Sequence, residues 1–127
     1  MLESSPVVAV VAVKDLERAR QFYGGTLGLK ESPDGDPGGV LYQCGAGTQL
    51  LVYSSGFAGG NQATAASWEV EDVAGAVAEL KDRGVSFEQY DNIPDVERDG
   101  DVHRSGRITA AWFKDPDGNI LNVVHRG

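Results

Sequence analysis

Cationic residues are scarce in this chain of 127 residues: 11 Lys and Arg stand against 19 Asp and Glu, giving a formal charge of −8 and a pI near 4.6. That sign repels phosphate backbones and anionic lipid, and no local cluster of Lys or Arg rises against it, so nucleic acid is not an expected partner. Long apolar runs are also missing. None approaches the roughly 18 residues of a membrane-spanning helix, and Met1-Leu2-Glu3-Ser4-Ser5 lacks the basic segment that opens a signal peptide. No membrane association is expected, and the expected location is the cytoplasm. Cysteine occurs once, which excludes an internal disulfide; Cys44 lies in the strand-like Leu41-Tyr42-Gln43-Cys44 and reads as an inert packed thiol rather than a nucleophile.

The apolar fraction, 41%, suffices for one ordinary core, and residues 1–127 are read as a single domain. Its most legible stretch runs from Trp112 to Val124, where two apolar runs flank Asp115-Pro116-Asp117-Gly118. Asp115 suits the first position of a type I turn, Pro116 has its φ fixed for the second, and Gly118 can take positive φ. An antiparallel hairpin follows. In its second strand Ile120, Asn122 and Val124 share one face, so Asn122 is a polar side chain on an otherwise apolar face.

The remainder reads as one pattern used twice. Residues 7–13 form a β-branched and Ala run of strand length, Asp15 is a helix N-cap, and Leu16, Ala19 and Tyr23 with Phe22 mark an apolar helix face. Gly24-Gly25 is expected to stop that helix and Leu27-Gly28-Leu29 to begin a strand. Residues 40–44 and 49–53 then make a hairpin, and 54–64, rich in Gly and Ser, a connecting loop. The pattern restarts at 65–70 with a strand, then the N-cap Asp72, a helix face of Val73, Ala76, Val77 and Leu80, a stop at Gly84 and a strand over 85–90. Residues 92–106, highly charged, read as a loop, either a flap over a pocket or a mobile surface segment. The result is an α+β chain of tandem βαβββ modules, 7–53 and 65–125, forming a cup-shaped partial barrel with the helices outside.

Two stretches, Val13-Lys14-Asp15-Leu16-Glu17-Arg18-Ala19-Arg20-Gln21-Phe22-Tyr23-Gly24-Gly25-Thr26-Leu27-Gly28-Leu29 and Trp112-Phe113-Lys114-Asp115-Pro116-Asp117-Gly118-Asn119-Ile120-Leu121, resemble the vicinal oxygen chelate superfamily. That superfamily includes glyoxalase I, extradiol dioxygenases, epimerases and bleomycin-resistance proteins. In its metal-using members the resemblance implies four His or Glu ligands. Carried onto this chain, those positions are Val8, a residue near Leu51, Ala65 and Asn122. None offers the imidazole, thiolate or carboxylate that divalent transition ions favour. No metal and no other cofactor is therefore expected, and the metal-dependent activities are not carried over. His103 in the charged loop and His125 at the chain end read as solvated, and Glu69 as a strand-end carboxylate that shares a face with Ala65 and Ser67.

The resemblance implies instead a metal-independent protein that sequesters a small organic ligand, an antibiotic or a metabolite, in the cup. Tyr42, Tyr53 and Trp112 are its candidate stacking surfaces, Asn122, Ser67 and Glu69 its polar anchors, and Val8, Leu51 and Ala65 complete the candidate pocket. Trp68 faces away from the cup on strand alternation. An enzyme of glyoxalase or dioxygenase type with a non-standard metal site stands as the alternative, and an interaction module whose cup is filled by its own side chains as a third reading. The resemblance also implies pairing into a homodimer, for which exposed sheet edges give a physical reason.

Overall fold

The structure is a computed structural model that describes residues 1–35 and 38–127. β-branched and small residues make the first strand, β1 (Ala9–Val13), which ends where the Asp15 carboxylate accepts from the free amides of Glu17 (3.0 Å) and Arg18 (3.3 Å). That cap starts α1 (Leu16–Arg20). The helix does not stop at Gly24-Gly25: it widens into a π-helical stretch over Gln21–Thr26, with the Leu27 amide bonded to the Phe22 carbonyl at 2.8 Å. The wide turn accompanies two neighbouring aromatics that both pack inward, Tyr23 fully buried and Phe22 edge-on to it at 5.2 Å. Leu27-Gly28-Leu29 is consequently not a strand; Gly28 takes φ +75°, and β2 is confined to Lys30–Glu31.

β3 (Gly39–Gln43) and β4 (Gln49–Ser54) form the expected hairpin, and β4 pairs in parallel with β1. The first sheet has the order β2-β3-β4-β1. β5 (Thr64–Glu69) opens the second module, and Asp72 caps α2 (Val73–Asp82) by accepting from the Gly75 amide at 3.0 Å. No strand forms over 85–90, where an isolated bridge joins Phe87 to Phe113 and the Glu88 amide bonds the Trp112 carbonyl. The edge they would need is already divided. The charged stretch supplies the other occupant, a hairpin of β6 (Glu97–Asp99) and β7 (Val102–Ser105), in which β7 pairs with the first half of β8 (Ile108–Lys114). β9 (Ile120–His125) completes a second sheet of order β5-β9-β8-β7-β6, with β5 and β9 parallel.

β1 lies against β5, so the two sheets meet edge to edge. One face of each carries Val11, Val13 and Val52 or Phe113, Leu121 and Val123, which join Ala19, Tyr23, Val73 and Val77 of the helical segments in a single apolar core. Two α+β halves thus share one helix-backed interior without closing a barrel. By strand alternation the other face, called here the open face, carries Val10, Leu51 and Tyr53 on the first sheet and Ser67, Asn122 and Trp112 on the second.

The Asp115 turn fastens the halves together. Its carboxylate accepts from the amides of Asp117 (2.9 Å) and Asn119 (2.8 Å), and Gly118 takes φ +87°. The Asn119 amide group reaches across to the Ala12 carbonyl at 2.7 Å, and Arg18 pairs with Asp117 at 2.9 Å.

Candidate functional site

Asn122 sits at the centre of a row across the open face of the second sheet, with Ser67 of β5 on one side and Trp112 of β8 on the other. The Ser67 hydroxyl donates to the Asn122 side-chain oxygen, and Asn122 is only 7% exposed. The Trp112 indole N–H donates to the Thr64 hydroxyl at 3.0 Å, which fixes the plane of the ring. Two further rings stand against it edge to face, Tyr90 at 5.6 Å and His103 at 4.9 Å. Burial, and next the Glu88 carboxylate, push the Tyr90 phenol above its ordinary range.

His103 is 2% exposed, a correction to its reading as a solvated loop histidine. β7 carries it inward, where Nε2 accepts the Tyr90 backbone N–H at 2.9 Å and Nδ1 faces the Asp101 carbonyl at 3.1 Å. The neutral ring with its hydrogen on Nδ1 satisfies both contacts. The charges that disguised this hairpin hold it down: Arg98 grips Asp91 through two nitrogens at 2.7 and 3.1 Å, and Asp101 accepts from Lys81 at 2.9 Å and Gln89 at 3.1 Å. Those bonds, with Lys81 first, hold the Asp101 carboxyl below the usual carboxylate range.

A cleft of about 370 Å³ opens beside this aromatic group, lined by Trp112, Tyr90 and Ile120 with Gln62, Thr64 and Asn92. Its mixture of aromatic wall and few polar groups suits a small organic molecule. A hollow of about 340 Å³ lies on the helix side between Trp68, Phe113, Leu80 and Arg83, with aromatic and aliphatic walls and the Arg83–Glu79 pair of 2.9 Å among its lining residues. The open-face cleft offers more hydrogen-bonding chemistry and is the better candidate.

The candidate pocket residues distribute unevenly. Trp112 lines the cleft; Ala65 lies at a register shift of β5 and lines a hollow of about 170 Å³ with Val10, Ala12 and Phe57. Ser67 lines a third hollow, of about 280 Å³, at the module seam. Val8 (38% exposed) precedes β1, while Leu51 and Tyr53 lie on the open face of the first sheet. Glu69 is exposed and faces Arg126 at 3.6 Å. Tyr42 is placed elsewhere: it is fully buried on the helix side against Tyr23, ring centroids 6.1 Å apart. Trp68 stacks on Phe113 at 6.4 Å, on the helix side where alternation puts it.

The positions at which the resemblance implies metal ligands do not fit an ion. Val8, Leu51 and Ala65 have no donor, and the Asn122 amide oxygen already accepts from Ser67. Both nitrogens of His103 are committed to backbone groups, and His125 Nδ1 lies 3.0 Å from the Val70 carbonyl. No group of three or more His, Cys, Asp or Glu able to hold a metal exists among the described residues. Nor is any helix among them long and apolar enough to cross a membrane.

Comparison with known proteins agrees with this architecture. The sequence model of the Glyoxalase/Bleomycin resistance protein/Dioxygenase superfamily matches residues 6–123. A superfamily member from Sphaerobacter thermophilus DSM 20745 has a similar structure, with 28% identity, TM-score 0.68, and 98% of this chain and 99% of that one covered. A glyoxalase/bleomycin resistance protein from Streptomyces sp. CB03234 shares 27% identity at TM-score 0.63, covering 94% and 98%. TnmS3, an antibiotic binding protein from the same Streptomyces strain, shares 25% at TM-score 0.64, covering 98% of each chain. No curated protein matches the chain.

Proposed function

This chain belongs to the Glyoxalase/Bleomycin resistance protein/Dioxygenase superfamily, and from that premise we propose that it is a metal-independent binding protein that sequesters a small, flat organic molecule against the open face. The observation that carries the proposal is the cleft of about 370 Å³ in which Trp112 and Tyr90 present aromatic surface beside Gln62, Thr64 and Asn92. Stacking and apolar burial provide the attraction, and the few polar groups set orientation. The ligand positions occupied by Val8, Leu51, Ala65 and Asn122 support binding without a Lewis acid, and the likeness to an antibiotic binding protein supports an antibiotic or similar metabolite as the cargo. With a formal charge of −8, neutral or cationic molecules are favoured. We further propose that the chain acts as a homodimer, supported by exposed apolar side chains such as Val10 (51%) and Tyr53 (37%).

The test uses the Trp68→Phe variant, which leaves Trp112 as the fluorescent reporter, titrated with xanthone, doxorubicin and bleomycin. Saturable quenching by at least one of them, weakened about tenfold or more in Trp112→Leu followed calorimetrically, is the expected result. Binding that ignores the Trp112 substitution contradicts the proposed site.

A further inference from the structure

Trp68 and Phe113 stack on the helix side of the second sheet, ring centroids 6.4 Å apart, yet Trp68, Ala76 and Leu80 are only half-buried. All four line the hollow of about 340 Å³ that opens where α2 faces residues 27–29 of the first module. The charged side chains among its lining residues are Glu79 and Arg83, and the other side chains on its wall are apolar. Arg83 is tethered across the modules, donating to the Glu79 carboxylate at 2.9 Å and to the Thr26 carbonyl at 3.4 Å. Gly28 makes room for it, since a Cβ there would lie 3.0 Å from Arg83 Nη1. These bonds engage two of the five guanidinium N–H groups and one carboxylate oxygen, so both donor and acceptor capacity remain on the wall.

We infer that this hollow is a second binding site, separate from the open-face cleft, for a small neutral aromatic molecule bearing a hydroxyl. Trp68 lies on the helix side and Trp112 on the open face of the same sheet, so the inference does not depend on open-face binding. The volume stands at the small end of the range for ligand sites, about 300–1,000 Å³, and suits one or two rings. Covering the Trp68 and Phe113 walls removes apolar surface from water and supplies aromatic contact. A carboxylate in the hollow would meet the charge of Glu79, and an ammonium that of Arg83. A hydroxyl both donates and accepts, so a single neutral group meets both members of the pair.

The test uses the Trp112→Phe protein, in which Trp68 is the sole tryptophan. It is titrated at pH 7 with 4-bromophenol and 4-bromotoluene, near-isosteres that exchange hydroxyl for methyl and whose bromine quenches an indole in contact with it. Saturable quenching of Trp68 by 4-bromophenol with Kd below about 1 mM, and about fivefold weaker binding of 4-bromotoluene, are expected. The double variant Glu79→Met with Arg83→Met, at two exposed positions, is expected to remove the preference and leave 4-bromotoluene affinity within about threefold. Ala76→Phe, which extends from α2 into the hollow, is expected to abolish saturation by both probes. A response of Trp68 that does not saturate, equal binding of the two probes, or an undiminished preference in the double variant with a parental melting curve overturns the inference and leaves open-face binding standing. Saturation seen only at Trp112, in the Trp68→Phe protein, places the phenol in the cleft and likewise overturns it.

Discussion

The Tyr23 hydroxyl donates to the Asp115 carboxylate at 2.8 Å, joining the end of the first helical segment to the turn of the last hairpin across 92 residues of sequence. Tyr23 is fully buried and Asp115 is 5% exposed, and Asn119 completes the group by bonding both Asp115 and the Ala12 carbonyl. The turn is therefore a fastener between modules as well as a chain reversal. Tyr23→Phe is expected to cost about 1–2 kcal/mol in urea unfolding, and Asn119→Ala about 1–3 kcal/mol because two acceptors lose their donor.

The same bond predicts alkaline behaviour. Burial, and next the Asp115 carboxylate, raise the Tyr23 phenol far above its ordinary value near 10. Because the folded-state value lies above the unfolded one, this contribution is complete below about pH 10 and declines as pH rises beyond it. Stability measured from pH 8 to 11 should fall, and Tyr23→Phe should flatten the part of the decline that Tyr23 causes. An identical slope in the variant contradicts the assignment.

Acid acts on a different group, the Asp101 carboxylate. Asp101, held below its ordinary value by Lys81 and Gln89, contributes stability above about pH 4 that is lost as pH falls through the depressed folded-state value. Amide protection factors in the β6–β7 hairpin, corrected for the intrinsic pH dependence of exchange, should therefore fall at low pH ahead of those in β8 and β9. Asp101→Asn should show the lower protection already at neutral pH.

Exposed apolar residues on the open face of the first sheet predict association. Light scattering at micromolar concentration should give the mass of two chains, and Val10→Lys, at a site 51% exposed, should shift it toward one without lowering the melting temperature. A monomer at all concentrations contradicts the dimer proposal.

What was legible in the sequence is what local chemistry decides. Asp15 and Asp72 cap their helices because a carboxylate at that position meets free amides whatever the tertiary context. Asp115 to Gly118 turn the chain for similarly local reasons. The π-helical run past Gly24 was not legible, since it accompanies the packing of Phe22 and Tyr23 against residues far along the chain. The strand expected over 85–90 failed because β8 has one outer edge and β7 occupies half of it. Charge hid the β6–β7 hairpin. Asp99-Gly100 is itself a turn signal, with Gly100 at φ +62°, but Arg98, Asp99 and Asp101 read as solvated, and His103 with them. At the candidate site, Asn122 was singled out by strand alternation and Trp112 by its ring, whereas Tyr90, Gln62 and Asn92 arrive from irregular segments with no periodicity to reveal them. Tyr42 was misplaced by attending to its ring rather than its parity, since it alternates with Leu41 and shares its face with buried Val40.

The most direct test of the central claim, that the open face binds an organic molecule with the chain's own side chains, is calorimetric titration of the chelator-stripped protein with xanthone, repeated after adding Zn²⁺, Mn²⁺ or Mg²⁺. The account predicts equal affinity and stoichiometry in every sample, with elemental analysis finding no stoichiometric ion in protein purified without chelator. One ion per chain, whose removal abolishes binding and whose return restores it, would contradict the account.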